Sequence, residues 1–158
     1  MTKRSCRLIG VVSDTHGLMR PQALAALRGA ELIIHAGDIG SPDVLDALRG
    51  VASVVAIRGN VDRAPWANAL AETEVVDLNG ALIYVLHNIQ ALDLDPQAAG
   101  FRAVVFGHSH KPLVEQREDV LYLNPGSIGP RRFTLPITLA RLHMDGSTLN
   151  AEIVELKV

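Results

Sequence analysis

Three short β-branched runs, separated by two helix-forming stretches, constrain the fold of this chain more than any other feature. RLIGVVS (7–13), ELIIHA (31–36) and VASVVAIR (51–58) have few polar positions, so each reads as a strand buried on both faces. Between the first two lies PQALAALRG (21–29), an Ala/Leu-rich helix with Pro21 near its start and Gly29 past its end. Between the second and third, Ser41-Pro42-Asp43 opens a helix over VLDALR that closes at Gly50. A β-α-β-α-β order calls for parallel strands joined by right-handed crossovers.

The second half changes pattern. EVVDLNGALIYVLH (74–87) holds Asn79-Gly80 between two strand patterns, a hairpin signal. Residues 88–101 read as a loop with at most a short helix around DPQAAG, and RAVVFG (102–107) as another buried strand. Residues 113–123 and 134–157 read as antiparallel strands turning at Glu118-Asp119 and Asp145-Gly146. The expectation is one layered α/β domain over 1–158, and with 48% hydrophobic and 20% charged residues the chain can bury a core without disulfides or structural metals. A net charge of −2 implies no basic face for nucleic acid or anionic membrane. The single cysteine, Cys6, excludes an internal disulfide, is read as inert, and fits a reducing cytoplasm. Lys3, Arg4 and Arg7 precede an apolar run too short for a signal peptide, and nothing approaches the roughly 20 apolar residues of a spanning helix.

The residues able to hold a metal fall in a pattern. Asp14 and His16 follow the first strand run, Asp38 the second, Asn60 the third, His87 the hairpin and His108 and His110 the strand at 102–107. All seven lie just past the C-terminal end of an apolar run, the edge at which α/β sheets bind ligands. Carboxylate, carboxamide and imidazole suit borderline divalent ions such as Mn, Fe, Zn, Co or Ni, and no thiolate joins them. Seven donors exceed one tetrahedral site and suit two ions with a bridging carboxylate.

Asp14-Thr15-His16, Gly37-Asp38, Gly59-Asn60, His87 and Gly107-His108-Ser109-His110 resemble, in order, the motifs of the calcineurin-like metallophosphoesterase superfamily. With VVSDTHG at the start and Asn124-Pro125-Gly126-Ser127 late, the chain is similar to the small single-domain bacterial and archaeal phosphodiesterase branch over about residues 8–130. The resemblance implies a four-layer αββα sandwich of two mixed sheets flanked by helices. It implies two divalent ions, manganese first and nickel, iron, zinc or cobalt as alternatives. Asp14, His16, Asp38 and His110 would hold one, and Asp38, Asn60, His87 and His108 the other, with Asp38 bridging. Asp38, Asn60 and His108 are the residues expected to carry catalysis. The expected reaction is attack of a bridging hydroxide on a small phosphodiester or activated monoester, without a covalent enzyme intermediate. By analogy a homo-oligomer is expected.

Two positions depart from the family pattern. Val61 stands where a histidine commonly follows the G-N pair, so poor alkoxide leaving groups should react slowly. Asn88 stands where glycine usually follows the histidine, and should narrow the pocket. Other polar residues carry plainer readings. His35, inside a strand, is a packed and hydrogen-bonded histidine; His143 and the Arg131-Arg132 pair are surface groups; Trp66 is a capping or interface residue. Asp62 is either a surface carboxylate or a partner orienting a ligand, and Asn124–Ser127 is a structural turn unless it supports the ligand loops. His87 has a satisfied buried histidine as its alternative. The rival from another class is a catalytically weak protein-binding scaffold, a use to which a eukaryotic trafficking subunit puts a similar fold.

Overall fold

The structure, a computed structural model, describes residues 7–158; Cys6, Lys3 and Arg4 lie outside them. The first half follows the expected order: β1 (Arg7–Val12), α1 (Pro21–Ala26), β2 (Leu32–His35), α2 (Pro42–Arg49) and β3 (Ser53–Ala56). A 3₁₀ turn, Pro65–Ala69, leads to β4 (Thr73–Leu78), β5 (Ala81–Leu86), β6 (Phe101–Val105), β7 (Leu113–Arg117), β8 (Val120–Asn124), β9 (Thr138–Asp145) and β10 (Thr148–Glu155). Ser41 caps α2 by accepting from Asp43 N at 3.2 Å. α1 stops a turn earlier than the composition suggests, and Gly29 turns the chain with φ +89°.

Two five-stranded sheets result, ordered β10-β9-β1-β2-β3 and β4-β5-β6-β8-β7. Both are mixed. β1, β2 and β3 are parallel with β9 antiparallel to β1, and β5, β6 and β8 are parallel with β4 and β7 antiparallel at the edges. The 113–123 hairpin is antiparallel internally, as expected, but its second strand joins the sheet parallel to β6. Ile9, Val11 and Ile34 of the first sheet, with Ile57 just past β3, meet Ile83, Val85, Val105 and Leu123 of the second in one core. The outer face of the first sheet is covered by α1 and α2 through Leu27, Val44, Leu45 and Leu48. Helix α1 sits so close that a Cβ on Gly10 would collide with Leu27.

The fourth layer is thin. Among the described residues no α-helix packs on the outer face of the second sheet, where Leu86, Val104, Phe106, Val120 and Tyr122 cluster with Ile89 and Leu92 of the 3₁₀ turn Ile89–Ala91 and its end. The helical turn of the 88–101 segment thus sits at its start, capped by Asn88, rather than at DPQAAG. Trp66 is half-buried and caps the cluster beneath the helices.

Candidate metal centre

Parallel strands align their C-terminal ends, and β1, β2, β3, β5 and β6 deliver their following loops to one edge. Two clusters form there: Asp14, His16 and His110, and Asp38, His87 and His108, each with donor atoms within 4.8 Å of one another. Asp14 Oδ1 lies 3.6 Å from His16 Nε2, 3.4 Å from His110 Nε2 and 3.9 Å from His87 Nε2. Asp38 Oδ2 lies 3.1 Å from His87 Nε2 and 3.8 Å from His16 Nε2, so this carboxylate stands between the two clusters.

Each donor that can be followed is tied to the protein through one atom and left open through another. Asp14 Oδ2 accepts from Ser13 Oγ at 2.6 Å and His108 N at 3.1 Å, while Oδ1 is buried without a hydrogen bond. Asp38 Oδ1 accepts from Val61 N at 3.0 Å. His87 Nδ1 donates to Ala36 O at 2.7 Å, which fixes the tautomer and directs the lone pair of Nε2 into the cluster. His16 Nε2, His87 Nε2 and His110 Nδ1 are buried without a partner. Buried polar atoms seldom stay unpaired, and four in one cluster of imidazole and carboxylate fit divalent metal. The electrostatics agree. Burial opposes charge on Asp14, yet the imidazoles of His110 and His16 beside it and the Ser13 hydroxyl hold its carboxyl well below the usual range. Asp38 is also lowered, against burial, by His87. The neighbouring Asp14 carboxylate raises His16 against burial, and Asp38 and Ala36 O raise His87 against burial. The two carboxylates thus draw positive charge to this point.

The backbone carries the cost of this convergence. Asp14, His16, Asp38, His108 and His110 have φ of 57°, 47°, 57°, 73° and 63°. Outside the hairpin turns at Asn79 and Glu118, Phe133 alone among the other non-glycine described residues shares this region. Left-handed backbone costs an L-residue about 1–2 kcal/mol, and such strain gathers at functional sites. The glycines before Asp38, Asn60 and His108 have a steric reason. A Cβ on Gly37 would lie 2.7 Å from His87 Nδ1, and one on Gly59 or Gly107 would collide with Asp38 or Ser13.

Asn60 lines the neighbouring cleft with His87 and His108, and its backbone carbonyl accepts from Arg63 Nε at 3.1 Å. Val61 places its side chain 47% exposed at the cluster and contributes only its N–H. The open readings resolve toward support of the ligand loops. Asp62 is buried and accepts from Ile39 N, Gly40 N and Gly59 N at 3.0, 3.0 and 2.9 Å, clamping the loop of Asp38 to that of Asn60. Asn124 Nδ2 donates to Gly107 O at 3.0 Å and Ser127 Oγ to Asp14 O at 2.9 Å. His35 is packed and hydrogen-bonded: Nδ1 accepts from Gly37 N, and Nε2 meets Thr15 Oγ1, whose hydrogen goes to Ile39 O. Burial pushes its pKa down to about 4. His143 is partly exposed beside Glu152, and Arg131 and Arg132 are exposed. The sequence reading gave no role to Ser13, although a hydroxyl beside a buried aspartate is a signal it could have used.

A two-sheet α/β sandwich with unpartnered imidazole and carboxylate atoms at one strand edge defines a candidate divalent-metal centre. The calcineurin-like phosphoesterase superfamily domain matches residues 8–147, and the chain belongs to that superfamily. It is 38% identical to a probable metallophosphoesterase of Methanothermobacter thermautotrophicus, over 93% of this chain and 91% of that protein. It is 28% identical to the phosphodiesterase YfcE of Escherichia coli, over 84% and 85%. Vacuolar protein sorting 29 of Cryptosporidium parvum shares the fold, with a TM-score of 0.76 at 18% identity over 97% and 99% of the chains. No helix among the described residues is long and apolar enough to cross a membrane.

Proposed function

We propose that the chain is a single-domain phosphodiesterase that also accepts activated phosphomonoesters, acts on small substrates and works in the cytoplasm with two divalent ions. Asp14, His16 and His110 would hold one ion, and Asn60, His87 and His108 the other, with Asp38 shared. Manganese is the first choice, and nickel, iron, zinc and cobalt are alternatives. The observation that carries this reading is the set of buried donor atoms without a protein partner, with His16 Nε2 and His87 Nε2 lying 3.6 and 3.9 Å from Asp14 Oδ1. When bound, the ions supply Lewis-acid activation of water and neutralise the charge of the phosphoryl oxygens.

The chain's own residues supply orientation. Ser13 and the His108 N–H hold Asp14, the Val61 N–H holds Asp38, and the Ala36 carbonyl holds His87. Asn60 and His108 stand where the cleft meets the clusters and would border the substrate. Val61 has no proton to give a departing alkoxide, which favours aryl and other good leaving groups. A homo-oligomer is part of the reading by analogy only.

The test is turnover of bis(p-nitrophenyl) phosphate and p-nitrophenyl phosphate by metal-stripped protein resupplied with manganese or nickel, with bound metal counted by mass spectrometry. Two equivalents bound with hydrolysis of the diester supports the proposal; metal bound with no turnover of either ester refutes it. Asp38→Ala should abolish metal binding and activity together.

A further inference from the structure

Because the fourth layer is thin, the outer face of the second sheet stays open beside the clusters. A cleft of about 490 Å³ runs from Asn60, His87 and His108 onto that face. Its floor is apolar: strand alternation turns Tyr84 and Leu86 outward while Ile83 and Val85 fill the space between the sheets. The Tyr84 ring is steadied by Phe101, with centroids 5.1 Å apart. The rim is polar. The Arg58 guanidinium has one ionic neighbour, Glu72 Oε1 at 3.6 Å, and the Glu72 side chain is 78% exposed. Such a pair contributes at most about 1 kcal/mol, so the guanidinium is free to exchange Glu72 for a ligand. Asn88 Oδ1 accepts from Gln90 N at 3.0 Å, which orients the carboxamide and leaves Nδ2 without a partner among the described residues.

An aromatic floor, a guanidinium plane and an oriented amide donor suit a flat heteroaromatic ring with polar edges. Glu72 and Asp93 on the same rim disfavour an arm carrying further negative charge. The cleft begins at residues of the proposed phosphate site, so a ring in it would be joined to phosphorus through a short ester arm. Resting on the phosphodiesterase reading, we propose that this cleft receives the non-leaving arm of a phosphodiester, an arm bearing a heteroaromatic ring as a nucleoside does. Arg58, Tyr84 and Asn88 are its specificity-determining residues.

Two diesters with the same leaving group separate the arm from the chemistry: p-nitrophenyl thymidine 5′-phosphate and methyl p-nitrophenyl phosphate, assayed on manganese-loaded protein. The kcat/KM ratio is expected to favour the thymidine ester about tenfold, the scale of one ring stacked on an aromatic side chain, and to arise in KM. It falls toward one in Arg58→Gln and in Tyr84→Leu, both at partly exposed positions. Calorimetric binding of thymidine 5′-monophosphate and of inorganic phosphate should show the same preference without turnover. A wild-type ratio near one, or variants that slow both esters alike, overturns the subsite. If neither ester turns over with metal bound, the phosphodiesterase reading fails and calorimetry decides the subsite alone: a preference for the nucleotide supports it and equal binding overturns it.

Discussion

Asp62→Ala should be among the most costly single changes outside the candidate ligands. The Asp62 carboxylate is buried and accepts three backbone N–H groups, two from the loop after Asp38 and one from the loop before Asn60. A hydrogen bond to a charged group contributes about 1.5–3 kcal/mol net, and an abandoned buried N–H costs a similar amount. Partial relaxation and access of water to Gly40 reduce the total, which leaves about 3–5 kcal/mol of lost stability. In a domain of this size that is about 10 °C of Tm. Asp62→Asn keeps one acceptor oxygen, which can still serve Ile39 and Gly59, but turns an amide against Gly40 N–H; its loss should be about 1–3 kcal/mol. Urea unfolding in chelator measures the stability term, and calorimetric manganese titration measures the second effect, a 10–100-fold loss of affinity as the ligand loops separate. A loss below about 1 kcal/mol in Asp62→Ala, or unchanged manganese affinity, would refute the clamp.

Three further outcomes are expected. His35 is neutral in the fold, with its pKa pushed down to about 4 from the ordinary 6.5 of histidine, so below pH 6.5 the unfolded chain binds a proton that the folded one does not. Stability is therefore full above 6.5 and falls toward pH 4, by up to about 3 kcal/mol, in metal-free protein. His16 and His87, whose pKa values are raised, act in the opposite sense, so the comparison of wild type with His35→Gln isolates the effect; parallel pH curves would disprove it. Val61→His should restore a proton donor and raise the rate on phenyl or alkyl esters about tenfold or more while changing p-nitrophenyl esters little, and an equal effect on both classes would count against the reading of Val61. Gly37→Ala forces a side chain onto φ +99° and within 2.7 Å of His87 Nδ1, so manganese affinity should fall along with Tm; a drop in Tm alone would show that His87 is not displaced.

Much of this arrangement is legible along the chain because ligand residues at strand ends are a local pattern. The D-x-H, G-D, G-N, H and G-H-x-H positions all follow apolar runs, and parallel strands bring such positions to one edge. The glycines are legible too, although their reason is not: Gly37 and Gly59 yield space to His87 and Asp38, residues distant in sequence. Asp62 had two open readings because a carboxylate three residues beyond a glycine serves a surface turn equally well. Only the approach of Ile39 and Gly40 decided between them. The 88–101 segment reads as a loop with at most a short helix around DPQAAG, and the helical turn at Ile89–Ala91 is not legible for a similar reason. With no period to its apolar residues, its structure depends on what the outer face of the second sheet offers.

Strand and helix order, the seven candidate donors and their placement past strand ends were determined by the sequence itself, through hydrophobic runs and turn residues that act over a few positions. Tertiary structure alone decided the rest. It brought the Nε2 atoms of His16, His87 and His110 to within 4 Å of one carboxylate oxygen and bent five candidate ligands into left-handed backbone. It also joined β8 parallel to β6 and left a cleft open beside Arg58 and Tyr84. These are relations between segments tens of residues apart. They arise from the packing of one sheet on the other, and no local stretch of sequence contains them.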